Sequence, residues 1–305
     1  MTINQSNKKK KITIVVSAMN MGGAQRVVSI LSNHWSQNGS TVTLIHTYTK
    51  DKINHYKLDD QIQNVYLKNV PSISKNKIMN RISKLIQLRQ LIKKSNPDIL
   101  ISFLTTINVA TTIVALSIKT PLYICERIST PFASLSKYFF WMYRILFKRV
   151  TKIVVQTKQN KLYLNKNFPD MNVEVIPNLI IFPIPITGYS KKPYSVISPN
   201  REIILASGRF HKFKQFDLLI RAFWEIKDKY PNWDLVILGD GEEKKTLSQL
   251  VLDLEIYDRV YFPGIVGNVS EWYESSDLFV LSSLIEGFPN VLLEAMSYGL
   301  PCVSF

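Results

Sequence analysis

No apolar run in these 305 residues reaches the roughly 18–20 residues that a membrane-spanning helix requires. The N-terminal MTINQSNKKKK is polar and leads straight into a strand-like run, so it does not read as a secretory leader. Cysteine is scarce. Cys125 and Cys302 both sit in apolar strand-like contexts and are expected to be buried free thiols in a reducing compartment. Together these features predict a cytoplasmic protein. No zinc spacing occurs. His34, His46, His55 and His211 are scattered, and no Asp-x-Asp pair is present, so no required metal is expected. A full G-x-G-x-x-G is missing after the first strand, and the second strand ends in His46-Thr47-Tyr48 rather than an acidic residue. Both absences argue against a nicotinamide dehydrogenase.

Acidic residues are rare in one part only. Residues 1–192 carry 28 Lys and Arg against 7 Asp and Glu, whereas residues 193–305 carry 10 against 16. Such asymmetry suits a polyanionic partner on the first part: nucleic acid, anionic lipid or a pyrophosphate-bearing substrate. A plain solvated basic surface is the bland alternative. For nucleic acid the charge stands alone, because the aromatic-basic segment looks helical rather than like a stacking sheet.

The length suggests two domains. Strand-like runs at 11–17, 42–48, 98–104, 121–126, 152–157 and 173–178 alternate with helical patterns at 24–37, 77–95, 107–118 and 134–149. Near-continuous apolar strands in this order predict a doubly wound parallel sheet. Five prolines between 177 and 200 mark a linker. A second series follows, with strands at 202–208, 233–241, 259–264 and 277–283, helices at 216–230, 242–255 and 268–275, and a helix from Pro289 to near Gly299. The expected domains are 1–180 and 201–305, joined by 181–200. Ligands of such sheets gather at strand C-terminal ends, here in a cleft between the domains.

Three segments of the second series carry chemistry. In SGRFHKFK (207–214), Arg209 and Lys214 place two cations after a strand and before a helix. A guanidinium and an ammonium at that place suit a diphosphate; two solvated loop cations are the alternative. In LGDGEE (238–243), Gly239 and Gly241 permit a tight turn. That turn reads as mostly structural, with ligand contact left open. In EGFPNVLLE (286–294), Glu286 lies in a loop, Pro289 suits the first helical turn, and Glu294 follows on the helix. The N–H groups around Gly287, Phe288 and Asn290 can hold an anion, and the carboxylates can accept from sugar hydroxyls.

GRFHKFK, LGDGEE and EGFPNVLLEAMSYGLP, in this order and spacing, resemble the retaining glycosyltransferases of family 4. SAMNMGGAQRVVSIL (17–31) resembles that family's glycine-rich first turn, so the likeness covers nearly the whole chain. ISFLTTINVA and PLYICERISTP resemble the branch that extends polyprenyl-diphosphate-linked oligosaccharides. The resemblance implies a GT-B architecture of two Rossmann-like domains facing across a cleft. It implies transfer of a hexose-type sugar, UDP being the usual carrier, to a lipid-linked saccharide in cell-surface polysaccharide synthesis. The nucleotide sugar is a substrate, and no cofactor is implied.

By position, the resemblance assigns Arg209 and Lys214 to the donor diphosphate, Glu286 to donor-sugar hydroxyls and Glu294 to the ribose. Gly208, Gly239, Gly241, Gly287, Phe288, Pro289 and Asn290 fall around the donor. Gly22 and Gly23 would let the first loop approach donor phosphate or acceptor. Many relatives carry a histidine where this chain has Arg127, preceded by Glu126. The family also continues beyond the equivalent of Phe305, so the second domain is expected to be incomplete. Beside an active transferase, an inactive remnant and a GT-B-fold sugar-nucleotide epimerase stay open. The basic amphipathic patterns at 77–95 and 136–150 suit attachment to anionic lipid at the inner membrane face as well as they suit helices covering a sheet.

Overall fold

A computed structural model describes residues 9–19, 22–48, 56–67, 77–127 and 144–304. The chain divides into two compact units, Met1–Asn178 and Leu179–Phe305.

The first unit is built on seven strands: β1 (Lys11–Val16), β2 (Thr41–His46), β3 (Gln63–Tyr66), β4 (Ile99–Phe103), β5 (Leu122–Cys125), β6 (Lys152–Val155) and β7 (Val173–Val175). They lie in the order β3-β2-β1-β4-β5-β6-β7, every neighbouring pair parallel. Ile12, Ile14, Val15 and Val16 of β1 are all buried, as a central parallel strand covered on both faces requires. Helices α1 (Gly23–Gln37), α2 (Lys77–Ser95), α3 (Thr105–Ala115) and α4 (Lys158–Asn167) flank the sheet sequence. Val27 and Val28 of α1 join the β1–β2 core, and Leu88 and Ile92 of α2 join another.

Two elements of this unit differ from the sequence reading. The stretch after β2, to which the sequence pattern assigned no element, contains β3, a polar edge strand whose residues are at most partly buried. The missed α4 carries few apolar residues, buries Asn160 and Leu164, and leaves Leu162 exposed. It starts on a Thr157 cap, whose hydroxyl oxygen accepts from the Asn160 N–H at 3.1 Å. The expected aromatic-basic helix over 134–149 falls mainly outside the described residues. Within its described end, Phe147–Arg149 form a 3-10 turn with Phe147 buried.

The second unit has β8 (Glu202–Ser207), β9 (Trp233–Leu238), β10 (Val260–Gly264), β11 (Leu278–Leu281) and β12 (Cys302–Ser304). Their order is β10-β9-β8-β11-β12, again all parallel. Between them run α5 (Phe216–Ile226), α6 (Lys244–Asp253), α7 (Val269–Glu274) and α8 (Asn290–Ser297). Helix α5 buries Phe216, Leu219, Ile220 and Phe223, the spacing of one helical face. Each such side chain contributes about 1.5–3 kcal/mol on burial. Cys302 is only half-buried, against expectation, because β12 follows a turn and its Val303 is exposed; Cys125 is buried as expected.

The proline-rich stretch is fastened to the second unit. The Ile184 N–H donates to the Tyr298 hydroxyl at 2.9 Å, and the Asn268 side chain pairs with the Lys191 N–H and carbonyl at 2.9 and 3.1 Å. The Trp272 indole N–H donates to the Lys191 carbonyl at 3.0 Å. These bonds replace the ladder that proline denies to its own segment.

In the second unit the strand order reverses between β8 and β11. Loops leaving the C-terminal ends of such a strand pair part to opposite faces and leave room for a ligand. Two of the segments singled out in the sequence, SGRFHKFK and EGFPNVLLE, follow β8 and β11; the third, LGDGEE, follows the neighbouring β9.

Candidate functional site

The loop after β8 carries Arg209 and Lys214. Gly208 closes the strand, with its N–H donating to the Leu238 carbonyl at 3.0 Å. Phe210, fully buried, anchors the loop in the core beneath α5 and α6. The backbone then makes a 3-10 turn over Lys212–Lys214 and enters α5 through Gln215, which has φ +49°. A non-glycine residue in that left-handed region costs local energy and marks a constrained turn. The constraint fixes where Lys214 leaves the backbone.

Gly239 and Gly241 brace this loop from β9. A Cβ on Gly239 would lie 1.9 Å from the Gly208 carbonyl oxygen, and one on Gly241 would lie 2.5 Å from that of Phe210. Neither backbone atom can move aside without displacing the cation loop, so glycine is required for close approach. The Phe210 N–H donates to the Asp240 carbonyl at 2.9 Å, and the Glu243 N–H donates to the Phe210 carbonyl at 3.0 Å. The LGDGEE turn thus holds the SGRFHKFK loop in shape.

The loop after β11 is tied to the same structure. Ser282 Oγ donates to the Lys214 carbonyl at 2.7 Å, and the Leu284 N–H donates to the Phe213 carbonyl at 2.9 Å. These bonds bring Glu286 to Lys214, with Nζ–Oε1 2.5 Å and side chains 23% and 24% exposed. Arg209 is exposed, with no ion-pair partner for its guanidinium among the described residues. Ser282 and Leu284 escaped the sequence reading, because serine and leucine in a loop carry no local signal of a contact some seventy positions away.

Gly287 and Phe288 lead into α8, and Pro289 is its cap rather than a first-turn residue. Asn290 opens the helix, and its first turn carries no acidic residue. Glu294, on that helix, is withdrawn from solvent. It is 3% exposed and takes a hydrogen bond from the Tyr273 hydroxyl at 3.2 Å. The structure therefore brings Arg209, Lys214, Glu286 and the start of α8 to one end of one sheet, with Glu294 packed on α8 against α7.

The Glycosyltransferase Family 4 profile matches residues 21–181, more than half of the chain, and the Glycosyl transferases group 1 profile matches residues 190–305. This chain belongs to glycosyltransferase family 4. It is 28% identical to the amylovoran biosynthesis glycosyltransferase AmsD of Erwinia amylovora, over 97% of this chain and 80% of that one. It is 27% identical, over 94% and 77%, to the Campylobacter jejuni GalNAc-alpha-(1->4)-GalNAc-alpha-(1->3)-diNAcBac-PP-undecaprenol alpha-1,4-N-acetyl-D-galactosaminyltransferase. Among solved structures, Anabaena HepE in complex with UDP and glucose superimposes with a TM-score of 0.75 at 16% identity, over 97% of this chain and 80% of that one. The fold is GT-B, and the protein is a transferase of glycosyl groups.

The first unit of this glycosyltransferase carries its own polar cluster at the C-terminal ends of β4 and β5. Glu126 is buried and accepts from Thr105 Oγ1 at 2.7 Å and Asn108 Nδ2 at 2.8 Å. Asn108 also accepts from Ser102 Oγ at 2.7 Å and donates to the Cys125 carbonyl at 3.1 Å. Leu104, with φ +77°, starts α3 beside it. Arg127 donates from Nη1 to the Asn178 side chain and lies 4.9 Å over the Phe103 ring, while its buried Nε has no hydrogen-bond partner among the described residues. Burial pulls the Arg127 pKa below its ordinary value and pushes the Cys125 thiol up to about 11, leaving that cysteine protonated near neutral pH. Glu126 was legible only as an acid after an apolar strand, not as the centre of a buried network. Gly22 caps α1, which begins at Gly23; Asn20 and Met21 of the same turn lie outside the described residues.

Proposed function

We propose that this enzyme moves a hexose-type sugar from a nucleoside diphosphate sugar, with UDP the first donor to test, onto a lipid-linked saccharide, with retention of anomeric configuration. The observation that carries the reading is the pairing of Lys214 with Glu286, with Arg209 on the same loop as Lys214, beside the strand-order reversal of the second sheet. Two cations there match a diphosphate, and a carboxylate beside them matches sugar hydroxyls. As the bond between sugar and diphosphate breaks, charge gathers on the departing phosphate. Arg209 and Lys214 stabilise that charge, which lowers the barrier without a metal ion. Transfer undiminished by chelator agrees with this, and loss restored by magnesium or manganese contradicts it.

The lipid-linked acceptor draws support from the undecaprenol-linked substrate in the name of the Campylobacter relative. Attachment to the inner face of the cytoplasmic membrane draws support from α2. Its Met79, Ile82 and Ile86 are exposed apolar residues on the same helix as Arg81, Lys84 and Arg89. A basic helix with an uncovered apolar stripe suits an anionic bilayer surface. No helix among the described residues is long and apolar enough to cross a membrane. Flotation with anionic liposomes at low salt tests the attachment, and absence of binding removes it.

The deciding experiment is a thermal-shift panel of nucleoside diphosphates, followed by transfer onto lipid-diphosphate-linked sugars with the product anomer read by NMR. A product formed without acceptor favours the epimerase reading instead.

A further inference from the structure

Lys214 and Glu286, both assigned to the donor, hold each other in the structure. Their backbones are tethered by the Ser282 and Leu284 hydrogen bonds, so loop movement does not readily part them. Their separation is a side-chain event, made easy by the flexible lysine stem and by exposure of about a quarter of each group. Arg209 is exposed and has no ion-pair partner among the described residues, so its charge is open to an incoming anion.

We propose that the Lys214–Glu286 ion pair is a selectivity element that favours the intact nucleotide sugar over the free nucleoside diphosphate; this rests on the nucleotide-sugar reading of the site. A diphosphate that engages Lys214 takes it from Glu286. The carboxylate is then left beside a second anion. An intact donor brings sugar hydroxyls that donate to the carboxylate, so both halves of the broken pair are satisfied again. A free nucleoside diphosphate brings no such donors, and the carboxylate stays unpaired and repelled. The same element that admits the donor therefore weakens retention of the product after transfer.

The test is calorimetric titration of UDP, and of a non-transferable UDP-sugar analogue, into the full chain and into Glu286→Gln. Removing the carboxylate charge is expected to tighten UDP binding about three- to fivefold, the scale of one partly exposed ion pair. The analogue is expected not to tighten, so its advantage over UDP shrinks, and UDP becomes a stronger product inhibitor. Glu286→Ala removes the same charge by a different side chain and must shift UDP binding in the same direction. Thermal unfolding of each variant reports its folding. Unchanged or weaker UDP binding in the variants, with wild-type binding intact, overturns the selectivity element alone. Failure of every nucleoside diphosphate to bind the wild type overturns the donor-site reading with it.

Discussion

Two charged clusters sit at opposite ends of the second unit's sheet, and they are built to different rules. At the N-terminal ends of the strands, Asp234 on β9 is fully buried between Arg201, at 2.5 and 2.6 Å, and Arg259, at 2.9 Å. The two arginines also donate to the carbonyls of Tyr230, Pro231 and Trp233. Every charge there is answered within the fold. At the C-terminal ends, Lys214 and Glu286 are partly exposed and Arg209 has no ion-pair partner among the described residues. A fully buried, fully paired charge cannot be given up to a ligand without cost to the fold, whereas a partly exposed one can engage a ligand.

That contrast can be broken from either end. Asp234→Ala leaves two arginines without their buried counter-ion and is expected to destabilise the fold by about 3–5 kcal/mol. A denaturant midpoint that barely moves would erase the distinction. Arg209→Ala should do the reverse, leaving the unfolding midpoint in place while kcat/KM for the donor falls by about 1.5–3 kcal/mol in transition-state terms. Unchanged donor kinetics would remove Arg209 from the site.

The smallest effect belongs to the first unit, where a titratable group at a strand C-terminal end is kept neutral. His46 is buried, stacks on Tyr66 at 4.4 Å between ring centres and pairs through Nε2 with Asn64 Oδ1 at 2.9 Å. Burial lowers its pKa below 6.5, outweighing the Asn64 hydrogen bond. The unfolded chain then binds the proton more readily than the folded one, so stability rises with pH and is lost on acidification below about 6.5. His46→Gln should flatten that part of the pH–stability curve, as read by urea unfolding at a series of pH values.

The strands and most helices were legible because continuous apolar runs and 3.6-residue spacing are local signals, as in β1 and α5. β3 was not, because an edge strand of Gln63, Asn64, Val65 and Tyr66 has no apolar run to declare it. α4 was missed because its single buried leucine gives no stripe. The donor motifs were legible as separate segments, and their joining only through the family resemblance. The hydrogen bonds by which Ser282 and Leu284 tie them were not, since they meet the β8 loop across some seventy residues. The bracing role of Gly239 depends on a close approach to Gly208 that no spacing rule contains.

The most direct test of the donor site is the affinity of UDP for the wild type against Lys214→Met, both shown folded by the same unfolding midpoint. Loss of one charge-assisted contact to the diphosphate predicts binding weakened by about ten- to a hundredfold. Equal affinity in the two proteins would contradict the placement of the donor at Arg209, Lys214 and Glu286.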